Sequence, residues 1–298
     1  MPMFCRHNRL TANCPICSRD LQDELRSKAP SRPARGRTAG PGGSQSRSSS
    51  GRSRGVVTRR LARAADDGYR NPLVPGLRAT ADAERLAAAL TAAVARLEPP
   101  GPYPAVASEP DLEEATWLAF LLALAGPDAP ELQDAVIAAR PAWVTGELPD
   151  LPGGRGRTAA AYRAWVGRAG SQAAAFRGEP AWTPQRRFGR VFERLSLPGF
   201  GRAERYDLLT ALGAAGRYEL EAGELLAEGE DATTEAAKRV FVSGDKLLLE
   251  RRARDLAEAC GVPIAALDRG LAVWGTPGDH AELTVEAPAP IRAGLSLR

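Results

Sequence analysis

From Leu25 to Ala65 the chain contains no aspartate or glutamate, yet Arg26, Lys28, Arg32, Arg35, Arg37, Arg47, Arg52, Arg54, Arg59, Arg60 and Arg63 all fall there. The run PSRPARGRTAGPGGSQSRSSSGRSRG within it holds too little apolar surface to offset the entropy of ordering it. A disordered basic linker over 25–65 is predicted, dividing a short module at 1–24 from a body that begins at residue 66. Removing those eleven charges from the net +4 leaves the rest of the chain at −7, so the body is acidic. Such a linker can hold a polyanion by counterion release without reading its sequence. A solubilising spacer is the plainer alternative.

The body is long enough for one large or two modest domains, with 44% hydrophobic residues overall. Aromatic residues make up only 6% and β-branched runs are short, so few segments could serve as central strands. The fold class expected is mainly α. No apolar run approaches the roughly 18 residues a bilayer span requires, and the first residues lack the apolar stretch of a secretory signal. These features predict a cytoplasmic protein with no membrane partner, and they leave its oligomeric state open.

Helices can be placed by period and caps. TADAERLAAALTAAVARLE puts Leu86, Leu90, Val94 and Leu97 on one face, with Thr80 or Asp82 as cap. EPDLEEATWLAFLLALAG carries acidic residues in its first turn and is apolar nearly all round from Trp117, which predicts a buried central helix ending at Gly126. Further helices are expected over 156–170 and 183–195, the latter with Thr183 as N-cap and Pro184 in the first turn. Residues 66–110 then form a helical lead-in, and 276–298, with strand-like AELTVEA broken by Pro288 and Pro290, an irregular tail. His280, beside Asp279, reads as a surface histidine.

Three of the four cysteines lie in FCRHNRLTANCPICS. Cys5, His7, Cys14 and Cys17 supply four soft or borderline donors, a set suited to tetrahedral zinc. Two residues between Cys14 and Cys17 form the tight turn that aims both sulfurs at one ion. With every position filled, the expected cofactor is a structural Zn2+ rather than a catalytic one, because catalytic zinc keeps a position for water. Free thiols are the alternative. The fourth cysteine, Cys260, follows RARDLAEA at helical spacing and is most simply a small core residue.

A second informative stretch is VFERLSLPGFGRAERYDLLTALG. One helix ends near Leu195, a hairpin runs through Leu197, Pro198, Gly199, Phe200 and Gly201, and a second helix starts at about Arg202. Pro198 stops the first helix, and the two glycines allow backbone angles closed to other residues. The amides of such a turn, at a helix N-terminus, make a nest for phosphate.

Helix, L-P-G-x-G hairpin and helix together resemble the helix-hairpin-helix element of the DNA glycosylase superfamily. The combination CRHNRLTANCPICSRDL, LPGFGRAERYDLL and GDKLLLERRARDLA resembles one branch of it, the α-glutamyl/putrescinyl-thymine pyrophosphorylase group, over roughly 111–275 and the N-terminal cysteine module. The resemblance implies DNA as partner, gripped by residues 197–201 and Arg202, with a nucleoid-associated location. It implies an activity that displaces pyrophosphate from a 5-hydroxymethylpyrimidine derivative with a small amine or amino acid. The essential aspartate of the superfamily would correspond to Asp245, which would activate the amine or steady a developing cation. Lys238, Arg239, Lys246, Arg251 and Arg252 would offer charge to the pyrophosphate.

Departures from the pattern are also legible. The stretch YELEAGELLAEGEDATTEAAK lengthens the path from hairpin to Asp245. Ala203 stands where lyase-type members carry lysine, so Schiff-base strand cleavage is not expected. With only Cys260 outside the N-terminal module, no four-cysteine iron-sulfur site is expected in the body. The alternative for Asp245 is an N-cap and nothing more. Two other functions therefore stay open: a monofunctional glycosylase excising a modified base, and a non-catalytic zinc-containing DNA-binding adaptor.

Overall fold

In the computed structural model, residues 64–145, 155–276 and 286–298 are described. Cys5, His7, Cys14 and Cys17, the linker as far as residue 63, and His280 lie outside them. The described residues are helical, without a β-strand; the one β-type pairing is an isolated antiparallel bridge between Leu197 and Phe200.

The helices are α1 (Thr80–Leu97), α2 (Pro104–Ser108), α3 (Leu112–Ala125), α4 (Pro130–Ala139), α5 (Gly156–Ala169), α6 (Gln172–Arg177), α7 (Pro184–Arg194), α8 (Arg202–Ala214), α9 (Ala232–Phe241), α10 (Lys246–Cys260), α11 (Ile264–Gly275) and α12 (Ala289–Gly294). They enclose two apolar clusters. The first is built on α3, which is buried from Ala115 to Leu124 and surrounded by residues of α2 and α4–α8. Its centre is aromatic: Phe120 stacks on Tyr162 at 3.9 Å, and Phe200 tilts against Phe120 at 5.2 Å. Offset and tilted pairs of this kind add to the area they bury.

The second cluster joins α1, α9, α10, α11 and α12. Leu86 and Leu90 of α1 are fully buried, while Val94 and Leu97 pack at its margin. α1 crosses α11 closely, because a Cβ on Gly270 would stand 2.7 Å from a Leu90 methyl carbon. The lead-in is therefore part of the core. Its cap is neither Thr80 nor Asp82: Ala79 holds the N-cap position, and the Thr80 amide donates at 2.8 Å to the carboxylate of Asp67, from the preceding loop.

The C-terminal residues also depart from the irregular tail expected. Pro290 sits in the first turn of α12, where a missing amide costs nothing. Ile291 and Leu295, four residues apart, then bury against α10 and α1. Asn71 and Tyr69 fasten the segment by donating to the Gly294 and Leu295 carbonyls at 3.0 and 2.5 Å.

Candidate nucleic-acid interface

α7 begins as its sequence requires, with the Thr183 hydroxyl accepting from the Arg186 amide at 3.2 Å and Pro184 in the first turn. After Leu195 the chain turns through 197–201 and re-enters helix at Arg202. Phe200 anchors the hairpin in the aromatic core, leaving Pro198, Gly199 and Gly201 exposed. Gly199 has φ +73°, a left-handed conformation, and a Cβ there would meet the Thr158 hydroxyl at 2.7 Å. The hairpin is held from the side by α5 and the residue before it: Thr158 donates to the Pro198 carbonyl at 2.9 Å and Arg155 to the Gly199 carbonyl at 2.8 Å.

The Pro198 and Gly199 carbonyls are thus taken up by the protein itself, and the Leu197 and Phe200 amides donate to the Leu195 and Leu197 carbonyls at 2.7 and 3.1 Å. Among the described residues, the amides of Gly199 and Gly201 have no acceptor. α8 has Gly201 as its N-cap and no side-chain cap, in contrast to α3, α6, α7, α9 and α10, which are capped by Asp111, Ser171, Thr183, Asp231 and Asp245. First-turn amides and the helix dipole there are left facing outward, which favours an anion. Glu204 lies close by, 3.6 Å from Arg155, whose cation offsets the carboxylate.

Arg202 takes a different place from the one its sequence context implies. Its side chain is 2% exposed and turned inward, where it donates to Asp231 at 3.0 Å, to Asp268 of α11, and to the carbonyls of Leu225 and Leu226. The guanidinium lies 4.7 Å above the Tyr206 ring. Desolvation opposes its charge, but the two carboxylates prevail and hold its pKa above the ordinary value. It is a rivet between the two clusters, not a group free to meet a phosphate. Asp231, Asp268 and Glu250 complete this seam; the Glu250 carboxylate accepts from the Leu225 and Ala227 amides at 2.7 and 3.1 Å. The connector YELEAGELLAEGED is thereby strapped down along its length. A small cavity of about 50 Å³ beside the seam is bordered by Arg96, Ala203, Asp207, Thr210, Asp268 and Arg269.

Asp245 opens α10 and is exposed, its carboxylate accepting from the Leu248 amide at 2.8 Å. Of the cations assigned to pyrophosphate, Lys246 and Arg251 are exposed, and their side chains have no hydrogen-bond or ion-pair partner among the described residues. Lys238 pairs with Glu235 at 2.7 Å, Arg239 donates to the carbonyls of Glu235 and Gly275 at 3.3 and 3.2 Å, and Arg252 donates to the Phe241 carbonyl. Nothing in the sequence around Arg202 signals its acidic partners, which lie 29 and 66 residues further on. No family model, curated protein or solved structure matches the chain.

Proposed function

We propose that the protein acts on DNA, gripping the backbone at the 197–201 hairpin and modifying a base. The unpartnered amides of Gly199, Gly201 and the first turn of α8, held rigid by Thr158 and Arg155, are the observation that carries this reading. A phosphate oxygen would satisfy them, and the side chains of Leu197, Pro198 and Phe200 would set the turn rather than touch the ligand.

The chemistry proposed is that of the α-glutamyl/putrescinyl-thymine pyrophosphorylase group. An amine attacks the exocyclic methylene of a pyrophosphorylated 5-hydroxymethylpyrimidine; a C–N bond forms, the C–O bond to pyrophosphate breaks, and the amine loses a proton. Asp245 would accept that proton, and Lys246 and Arg251, the unpaired cations nearest to it in sequence, would draw off the leaving group. In this reading Cys5, His7, Cys14 and Cys17 hold a structural zinc ion that orders the N-terminal module.

The exposure of Asp245 and its engagement as a cap favour a second reading, the non-catalytic DNA-binding adaptor. One assay separates the readings, with full-length protein, an amine and DNA bearing the modified thymine. Pyrophosphate release supports transfer and free-base release supports excision. Binding without either product leaves the adaptor.

A further inference from the structure

From residue 151 to 178 the chain holds no aspartate or glutamate, while Arg155, Arg157, Arg163, Arg168 and Arg177 fall there. α7 and the loop before it add Arg186, Arg187, Arg190 and Arg194 against Glu179 and Glu193. Residues 151–194 thus carry a net +7 in a chain that is acidic outside its linker. Their helices are α5, α6 and α7, and an open groove of about 330 Å³ lies where the three meet, lined by Trp165, Arg168, Ala169, Ala174, Ala175 and Arg194.

No carboxylate lines this groove. The acids of the surrounding elements are engaged elsewhere: Glu113 accepts from the Gln172 and Ala173 amides at 2.9 and 2.8 Å, Glu193 pairs with Arg190 at 3.1 Å, and Glu219 pairs with Arg187 at 2.9 Å. Glu179 stands exposed in the loop after α6, outside the groove lining. The donors of the groove are uncommitted. Arg168 is exposed, and its side chain has no partner among the described residues. Arg194 lies 5.0 Å above the Trp182 ring with no carboxylate upon it, so the ring positions the guanidinium fork without neutralising it. The indole N–H of Trp165, in a side chain 7% exposed, has no acceptor among the described residues, yet it is not sealed from solvent as that of Trp117 is. Two cations and an N–H, with only alanines between them, make a site of donors alone, which suits an oxyanion.

We propose that the groove is a second phosphate site, in which a backbone phosphate of the DNA strand held at the hairpin sits between Arg168 and Arg194 and accepts from the Trp165 N–H. The proposal rests on the DNA reading above and extends the contact from the turn onto α5–α7. Continuity with the hairpin favours a strand over a free anion. α7 runs directly into the turn, and α5 holds it through Thr158, which donates to the Pro198 carbonyl at 2.9 Å. By the helical rise Trp165 stands about 10 Å along α5 from Thr158, roughly three phosphates of a B-form strand. Free pyrophosphate offers the same oxygens, so it is the competing occupant.

Full-length protein is titrated into an end-labelled duplex at several salt concentrations, with anisotropy reporting binding. Each neutralised phosphate contributes about 0.9 to the slope of log K against log salt. Arg168→Gln combined with Arg194→Gln should therefore flatten the slope by about 1.8 and weaken binding about tenfold or more at physiological salt. Should that variant melt below wild type, Arg168→Gln alone, at an exposed position, should still flatten the slope by about 0.9 with an unchanged melt. Slopes unchanged in both variants, with duplex still bound, overturn the groove and leave the hairpin. Absence of duplex binding by wild type overturns the DNA reading and the groove together. Calorimetry with inorganic pyrophosphate in the absence of DNA supplies the last arm. Pyrophosphate binding that the double variant loses, with the duplex slope unchanged, would make the groove a site for a free anion and overturn the strand assignment.

Discussion

Arg202, the first residue after the hairpin, is paired with Asp268 from the middle of α11, so the 197–201 turn and the second apolar cluster are joined through one buried ion pair. Asp231, the N-cap of α9, shares the same guanidinium at 3.0 Å. Removing the cation would strand two carboxylates away from water. Arg202→Met is expected to lower stability by about 3–5 kcal/mol, the usual cost of leaving a buried charge uncompensated. Denaturant titration followed by circular dichroism measures it; a loss below about 1 kcal/mol, the level of a surface pair, would show the seam to be solvated.

Gly201→Asp separates the folding role of the hairpin from its binding role. Gly201 has φ −76° and ψ −177°, the extended geometry of an N-cap, so an aspartate there can accept from the first-turn amides of α8. A Cβ there would stand 2.8 Å from Glu204 Oε2, the free end of a flexible side chain, so that carboxylate must swing aside and the melting temperature should hold or fall slightly. Affinity for duplex DNA should fall about tenfold or more, because the new carboxylate takes the place of a phosphate oxygen at the helix terminus. Unchanged affinity would move the interface elsewhere.

At Asp245 two substitutions distinguish cap from catalyst. Asparagine caps as well as aspartate does, whereas alanine costs about 1 kcal/mol. Asp245→Asn should therefore melt like wild type and Asp245→Ala below it. If the carboxylate takes the amine proton, both variants lose pyrophosphate release while duplex binding persists. Activity retained by Asp245→Asn would reduce the residue to its cap.

Thiol reactivity tests the zinc ligands against the fold. Burial pushes the Cys260 thiol up to about 11, and its sulfur packs between α10 and α12, so it should resist alkylation at pH 8. If Cys5, Cys14 and Cys17 hold zinc with His7, the native protein should resist alkylation throughout. Chelation should expose three thiols and denaturation the fourth. Three reactive thiols in untreated protein, with no bound zinc, would remove the metal site.

The same cysteine sets an alkaline limit. Its folded value lies above the 9.0 of an unperturbed thiol, so the unfolded chain releases the proton first and stability declines as pH rises past about 9. Cys260→Ala should flatten this part of the stability profile between about pH 9 and 10, before tyrosines ionise. A slope identical to that of wild type would mean the thiol is in contact with solvent.

Which parts of the molecule were legible in the sequence follows from the range of the interactions involved. Thr183, Pro184 and the apolar run from Trp117 act on neighbours within a turn or two, and the helices they predict are those found. Asp67 caps α1 from thirteen residues away, whereas the local pattern offers only Thr80 and Asp82. Pro288 and Pro290 read as breakers of a strand, because only the packing of Ile291 and Leu295 against α10 and α1 makes a short helix there favourable. Arg202 read as a phosphate ligand for the same reason: a cation after a glycine hairpin has that local meaning, and the acids that claim it belong to α9 and α11.

Four of the hairpin's five carbonyls are already spent. Those of Leu197, Pro198, Gly199 and Gly201 accept from Phe200, Thr158, Arg155 and Arg205, whereas the amides of Gly199 and Gly201 have no acceptor among the described residues. The turn consequently acts as a rectifier of charge. At its tip it presents the hydrogens of Gly199 and Gly201 in preference to the oxygens of Pro198 and Gly199, so what it selects there is decided by sign before shape or sequence is considered.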